Sequence, residues 1–207
     1  MKSIRVLGVN GSHRKGQSSY ILLRYVLDEL DKNGCSTKLV ELVDYDIKYC
    51  SACNKCLKVS KCSIEDDDFK NIAEDMLLAD CIIFSTPVYF SNVTSLLKIF
   101  IDRTRSLHMK KDLLKDKLGA SVVIGGLQFG GQEIVAQILD NYMLNMGMRV
   151  VKPRLVDSPI YSINMVSTLY DGLDNNKIRY KRKEFLLDPL FMKTSELLVK
   201  NIVSSYT

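Results

Sequence analysis

The residues most able to do chemistry are the cysteines. Four of the chain's six stand in the stretch CSACNKCLKVSKC, at Cys50, Cys53, Cys56 and Cys62. The compact CxxCxxC opening lets successive thiolates converge on one inorganic cluster. Structural zinc usually takes two separated CxxC or His knuckles that close a tetrahedron from opposite sides, and no second knuckle follows here. A disulfide framework belongs to small chains in oxidising compartments, and a thioredoxin-like CxxC pair leaves the third and fourth cysteines without a role. The bacterial ferredoxin run differs too, because Cys62 lies further along than its fourth ligand and is followed by Ser63 rather than Pro. One [4Fe-4S] cluster on all four cysteines fits best, with zinc and free or disulfide-forming thiols as the alternatives. Cys81 opens an apolar run and reads as a packed core thiol, while Cys35 sits in a polar turn without a motif.

The elements that must position this stretch begin with residues 3–9, a short β-branched apolar strand covered on both faces. It runs into the polar loop Asn10 to Ser19, and a helix follows through Leu22, Leu23, Val26, Leu27 and Leu30. Strand, Gly/Ser loop and helix together aim backbone N–H groups and the positive helix end at an anion. Gln17 stands where a Walker A lysine must reach a nucleotide, and Gly8, Gly11 and Gly16 lack the dinucleotide spacing. What remains is a hydroxyl-rich nest suited to one phosphate monoester, with Ser12, Ser18 and Ser19 as donors and Arg14 as the cation.

Residues 37–43 read as a second strand leading to the cysteine loop. Asp66, Asp67 and Asp68 then read as an N-cap and first-turn charge set for a helix to Leu78. A third strand, 81–86, ends at Pro87. Val88, Tyr89 and Phe90 follow it, a rigid apolar ledge that would stack a planar ring or simply pack, and a helix runs on to Arg103. A fourth strand, 119–124, opens into Gly125, Gly126, Gly130 and Gly131, where a backbone can approach a ligand closely. A helix to Met146 and a strand over 149–155 complete the alternation. Residues 156–184 carry no regular pattern, and their basic run KIRYKRK reads as a solvated loop. Asp188-Pro189 caps a last helix with Leu190, Leu197, Leu198 and Ile202 on one side. His13 and His108 have no ligand spacing.

At 207 residues, 26% charged and 46% hydrophobic, the chain reads as an ordinary globular protein. Its net charge of +5 is too mild to call for nucleic acid. No leader or spanning segment is apparent, so a reducing cytoplasm is expected, where thiolates are available to metals.

Strands alternating with helices imply an α/β doubly wound, five-stranded parallel sheet in the flavodoxin-like order 2-1-3-4-5, with the cysteine loop after strand 2. The nest, the ledge, the glycine loop and the cysteine loop all follow strands and are expected on one rim. One phosphate and one flat ring describe FMN. The expected division is a domain over 1–155 that includes Cys50–Cys62, with 156–207 an extension and helix packed on it.

The run Gly11 to Ser18, TPVYFSNVTSLLKIFIDR from Thr86 to Arg103, the Gly125 loop and the four cysteines resemble the iron-sulfur flavoprotein family, within the NAD(P)H-dependent FMN reductase group. The resemblance implies FMN held by Ser12, Arg14, Gln17 and Ser18 at its phosphate, and by Pro87, Val88, Tyr89, Phe90, Gly125 and Gly126 around its ring. It implies a [4Fe-4S] cluster on Cys50, Cys53, Cys56 and Cys62. Gln17 stands where many relatives carry Asn. The resemblance also implies a homo-oligomer, dimer or tetramer, in which the cluster of one subunit lies near the flavin of another. Electrons would pass from a ferredoxin-like donor to oxygen, peroxide or a quinone. Two rivals remain: an NAD(P)H-dependent FMN or quinone reductase without a cluster, and a redox-sensing interaction protein. No acid or base residue is assigned.

Overall fold

The computed structural model describes residues 3–154, 164–182 and 184–206. Its centre is a parallel sheet in the order β2-β1-β3-β4-β5, built from β1 (Arg5–Asn10), β2 (Ser36–Glu41), β3 (Cys81–Pro87), β4 (Leu118–Gly125) and β5 (Arg149–Val150). The expected strand over 149–155 is shorter than anticipated. A further strand, β6 (Met165–Thr168), pairs with the second half of β4 while β5 pairs with its first half. The two short strands therefore share one edge position.

Alternate residues of each strand feed two cores, as a sheet covered on both faces requires. Leu7, Val9, Ile82, Phe84 and Val123 pack against α2 (Phe69–Leu78), α3 (Ser95–Arg103) and α5 (Gln132–Asn145). Val6, Ile83, Val122 and Ile124 pack against α1 (Ser18–Lys32) and α6 (Pro189–Ser204). A single turn, α4 (Arg105–His108), follows α3. Asp188 caps α6 by accepting from the Leu190 and Phe191 N–H groups. Within α6 the inward residue is Phe191, 1% exposed, rather than Leu190, 44% exposed.

The described part of 156–184 is more ordered than its sequence implies. β7 (Tyr170–Asp174) and β8 (Lys177–Tyr180) form an antiparallel hairpin. Its two-residue turn, Asn175-Asn176, has both φ angles positive, at 48° and 61°. That backbone suits the twist of a tight hairpin, and Asn tolerates it. The basic run thus lies largely on an exposed strand. No helix among the described residues is long and apolar enough to cross a membrane.

Candidate functional site

The loop after β1 is held from below. The Gly11 N–H donates to the Ser85 carbonyl (2.8 Å) and Thr94 Oγ1 donates to the Gly11 carbonyl (2.5 Å). Ser12 is buried, and its hydroxyl accepts the Arg14 N–H (3.0 Å) and donates to the Arg14 carbonyl (3.1 Å), closing the turn. Arg14 and Gln17 are exposed, Ser18 is half-buried, and the Gln17 side chain makes no capping bond at the start of α1. A residue that sequence reasoning passed over sits beneath them. Glu41, at the end of β2, accepts from the Gly16 N–H (3.0 Å) and from Asn10 Nδ2 (3.1 Å).

The ledge lies beside this nest. Tyr89 and Asn92 exchange backbone hydrogen bonds of 3.0 Å across a tight turn in which Phe90 and Ser91 take positive φ. Pro87 and Val88 are half-buried, Tyr89 is exposed, and the Phe90 ring is wholly in solvent. His13 joins nest to ledge, its ring nearly parallel to that of Tyr89 with centroids 6.3 Å apart.

The third wall is the glycine loop after β4. Buried Gln132 braces it from inside, its amide donating to the Leu127 carbonyl (2.6 Å) and accepting from the Gly130 N–H (2.7 Å). A Cβ on Gly125 would fall 2.5 Å from that amide. Gly131, at φ +94°, lies against Ser91 of the ledge, so the two loops are in register. The hairpin reaches the same place, since a Cβ on Gly126 would lie 3.8 Å from the Tyr180 ring. Nest, ledge and glycine loop meet on one rim, with Tyr180 beside them.

The cysteine loop does not share that rim. Cys50, Cys53, Cys56 and Cys62 all line one pocket, whose other walls include Ser63, Ile64, Asp102, Arg103 and Arg105. These last three belong to the far end of α3 and to α4. The nine residues of α3 separate pocket from ledge by roughly 13 Å at 1.5 Å per residue. The chain reaches that end by running down the side of α3 after β2.

Positive φ at Ala52 and Asn54, and a single 3₁₀ turn at Lys55–Leu57, bend the loop back on itself. Among the described residues, no three His, Cys, Asp or Glu groups close on a single metal ion. All four thiols nevertheless line that one pocket. Cys53 Sγ lies 3.0 Å from Ser63 Oγ. That hydroxyl, and next the Lys55 backbone N–H, lower the Cys53 thiol pKa below its ordinary value. Arg105 Nη1 donates to Cys50 Sγ (4.0 Å) and Nη2 to Asn54 Oδ1 (3.1 Å).

Behind the pocket stands Arg103, 1% exposed. It donates to both carboxylate oxygens of Asp67, to the Lys48 carbonyl (2.7 Å) and to the Ile64 carbonyl (3.2 Å), and stacks over Phe69 at 4.7 Å. Burial opposes its charge, but the Asp67 hydrogen bond and the neighbouring Cys62 outweigh burial and raise its pKa. The acidic run is thus not mainly a helix-end charge set. Asp67 serves Arg103, Asp68 accepts from the Asp46 N–H (2.9 Å), and Asp66 pairs with Lys48. In the sequence Arg103 shows only as the last residue of a helix, and no signal marked its role.

A doubly wound parallel sheet whose loops after β1, β3 and β4 meet at its carboxyl edge defines a flavodoxin-like fold, here carrying a separate thiol pocket. Solved structures agree on the fold. An NADH:FMN oxidoreductase matches with a TM-score of 0.66 at 18% identity, over 98% of this chain and 90% of its own. A flavodoxin, the WrbA-like protein of Agrobacterium tumefaciens, matches at 0.60 and 13% identity, over 99% and 98%. The model of the NADPH-dependent FMN reductase family matches residues 4–159. An iron-sulfur flavoprotein of Archaeoglobus fulgidus is 39% identical over 157 residues, 76% of each chain. The chain belongs to the NADPH-dependent FMN reductase family and, within it, to the iron-sulfur flavoproteins.

Proposed function

We propose that this protein is a flavin-dependent oxidoreductase that relays electrons between a [4Fe-4S] cluster and FMN. The observation that carries the reading is that all four loop cysteines line one pocket, in a chain whose loops after β1, β3 and β4 lie against one another. When bound, the cluster supplies one-electron transfer and the flavin accepts one or two. Cys50, Cys53, Cys56 and Cys62 hold the cluster. Ser18 and the first-turn N–H groups of α1 receive the FMN phosphate, with Arg14 and Gln17 reaching over it and Ser12 shaping the turn beneath. Pro87, Val88, Tyr89 and Phe90 stack against the ring from one side, and Gly125 and Gly126 let the backbone approach from the other.

The length of α3 between ring site and thiol pocket supports a homo-oligomer, dimer or tetramer, in which a cluster serves the flavin of a neighbouring copy. A ferredoxin-like carrier would supply electrons, and oxygen, peroxide or a quinone would receive them, in the cytoplasm. In this reading 1–155 forms the cofactor domain, and 156–207 packs on it. A direct NAD(P)H-to-flavin route is the second reading, favoured by the family match itself.

The test is iron, sulfide, zinc and FMN content of anaerobically purified protein, followed by stopped-flow reduction with NADPH and with reduced ferredoxin. About four iron and four sulfide with one FMN per chain, and faster reduction by ferredoxin, are expected. FMN without iron, bleached rapidly by NADPH, refutes the relay in favour of the second reading.

A further inference from the structure

Arg103 is the one cation among the described residues that is both fully buried and on the wall of the thiol pocket. Four of its contacts are structural: two to Asp67, one to the Lys48 carbonyl and one to the Ile64 carbonyl. Its Nε–H meets no acceptor, although it is fully removed from solvent. An orphaned buried donor is costly to keep, and a charged one more so. The same guanidinium lies beside Cys62, one of the four thiols. Ion pairing alone would be met by a shorter cation facing Asp67. A forked cation with a spare N–H, on the wall it shares with Cys62, can do more.

We propose that Arg103 tunes the reduction potential of the cluster, donating its free Nε–H toward the sulfur of Cys62 or an adjacent sulfide and placing a buried positive charge there. The inference rests on the cluster reading above. Accepting one electron from an external carrier adds one negative charge to the cysteine-bound unit, with no proton taken up. A fixed buried cation and an N–H···S hydrogen bond both stabilise that more negative state, so Arg103 raises the potential. Asp67 orients the guanidinium and cancels part of its charge. Arg103 is accordingly a positioning and tuning residue rather than a ligand. Exposed Lys55 and Lys58 on the same loop, screened by water, contribute far less.

The test is an EPR-monitored redox titration of anaerobically purified wild type, Arg103→Lys and the paired variant Asp67→Asn/Arg103→Gln. The pair leaves no lone buried charge and so remains informative where a single Arg103→Gln unfolds. Iron content and far-UV circular dichroism are measured on each. The pair, whose neutral amides can still hydrogen-bond to each other and to the loop carbonyls in place of the ion pair, is expected to keep its fold and its iron while reduction becomes about tenfold less favourable, a midpoint 59 mV lower for one electron. Arg103→Lys, which keeps charge but loses the fork, is expected to lie between.

A paired variant with full iron and the wild-type midpoint overturns the inference. So does a folded pair that cannot hold iron, since Arg103 would then be needed for retention instead. Wild type without iron refutes the cluster reading itself, and the two failures are thereby told apart.

Discussion

Gly131→Ala probes the contact that sets ledge and glycine loop in register. Two costs arise. The residue holds φ +94°, where an L side chain is strained by about 1–2 kcal/mol. The new Cβ would also overlap Ser91 Oγ and lie 2.9 Å from its Cβ and 3.0 Å from its Cα. The hydroxyl can rotate away, but the backbone carbon cannot, and such overpacking typically costs about 1–3 kcal/mol. The sum, about 2–5 kcal/mol, should lower Tm by roughly 4–20 °C in a chain of this size. Gly34→Ala is the control: its φ is +84° but nothing lies within 4 Å of the new Cβ, and it is remote from the rim. It should show only the conformational part, about 1–2 kcal/mol. Differential scanning calorimetry gives both values, and isothermal titration of the apoprotein with FMN gives affinity. Gly131→Ala should weaken FMN at least tenfold, about 1.4 kcal/mol, while Gly34→Ala leaves it unchanged. Equal Tm losses in the two variants, or unchanged FMN affinity in Gly131→Ala, would refute the argument that this contact shapes the ring site.

Arg14→Ala should weaken FMN by about tenfold or more, from loss of a charged hydrogen bond, and leave riboflavin binding unaltered, as fluorescence titration would read. Glu41→Gln keeps acceptors for Gly16 and Asn10 but removes a carboxylate beneath the phosphate, so FMN should bind several-fold tighter; weaker binding would mean that the charge is needed to shape the loop. Cys56→Ser should abolish iron and sulfide while sparing FMN content, because the thiol pocket and the rim are separate. Burial opposes ionisation of Asp67, but Arg103 and the Lys48 N–H outweigh it, so its folded pKa lies below the ordinary value. Its stabilisation is complete above the unfolded value of about 3.9 and is lost as pH falls toward the folded one. Thermal melts between pH 2.5 and 5 should therefore fall more steeply in wild type than in the paired Asp67→Asn/Arg103→Gln protein.

Periodicity made β1, β3 and β4 legible because each is a short apolar run buried on both faces, and parallel order followed from the helices between them. The same reasoning overextended β5, since Val151 to Leu155 looks like strand and only the partner's free edge decides where pairing stops. The hairpin was missed because Asn-Asn is a weaker turn signal than Asn-Gly and its strands are too polar to mark a buried face. The cysteines announced themselves by spacing. Their place at the far end of α3 did not, because a loop's direction is set by tertiary anchors such as Arg103, whose partners lie 36 to 55 residues away in sequence.

Those anchors bear on how the protein matures. Arg103 holds the loop at Lys48 before the first cysteine and at Ile64 and Asp67 after the last. Both feet of the loop are fastened by the polypeptide itself, so ordering the feet does not depend on the metal, unlike a finger that folds only around zinc. Anchoring of the feet and loading of the loop between them are then separable events, the first set by Arg103 and Asp67 and the second by the four thiols.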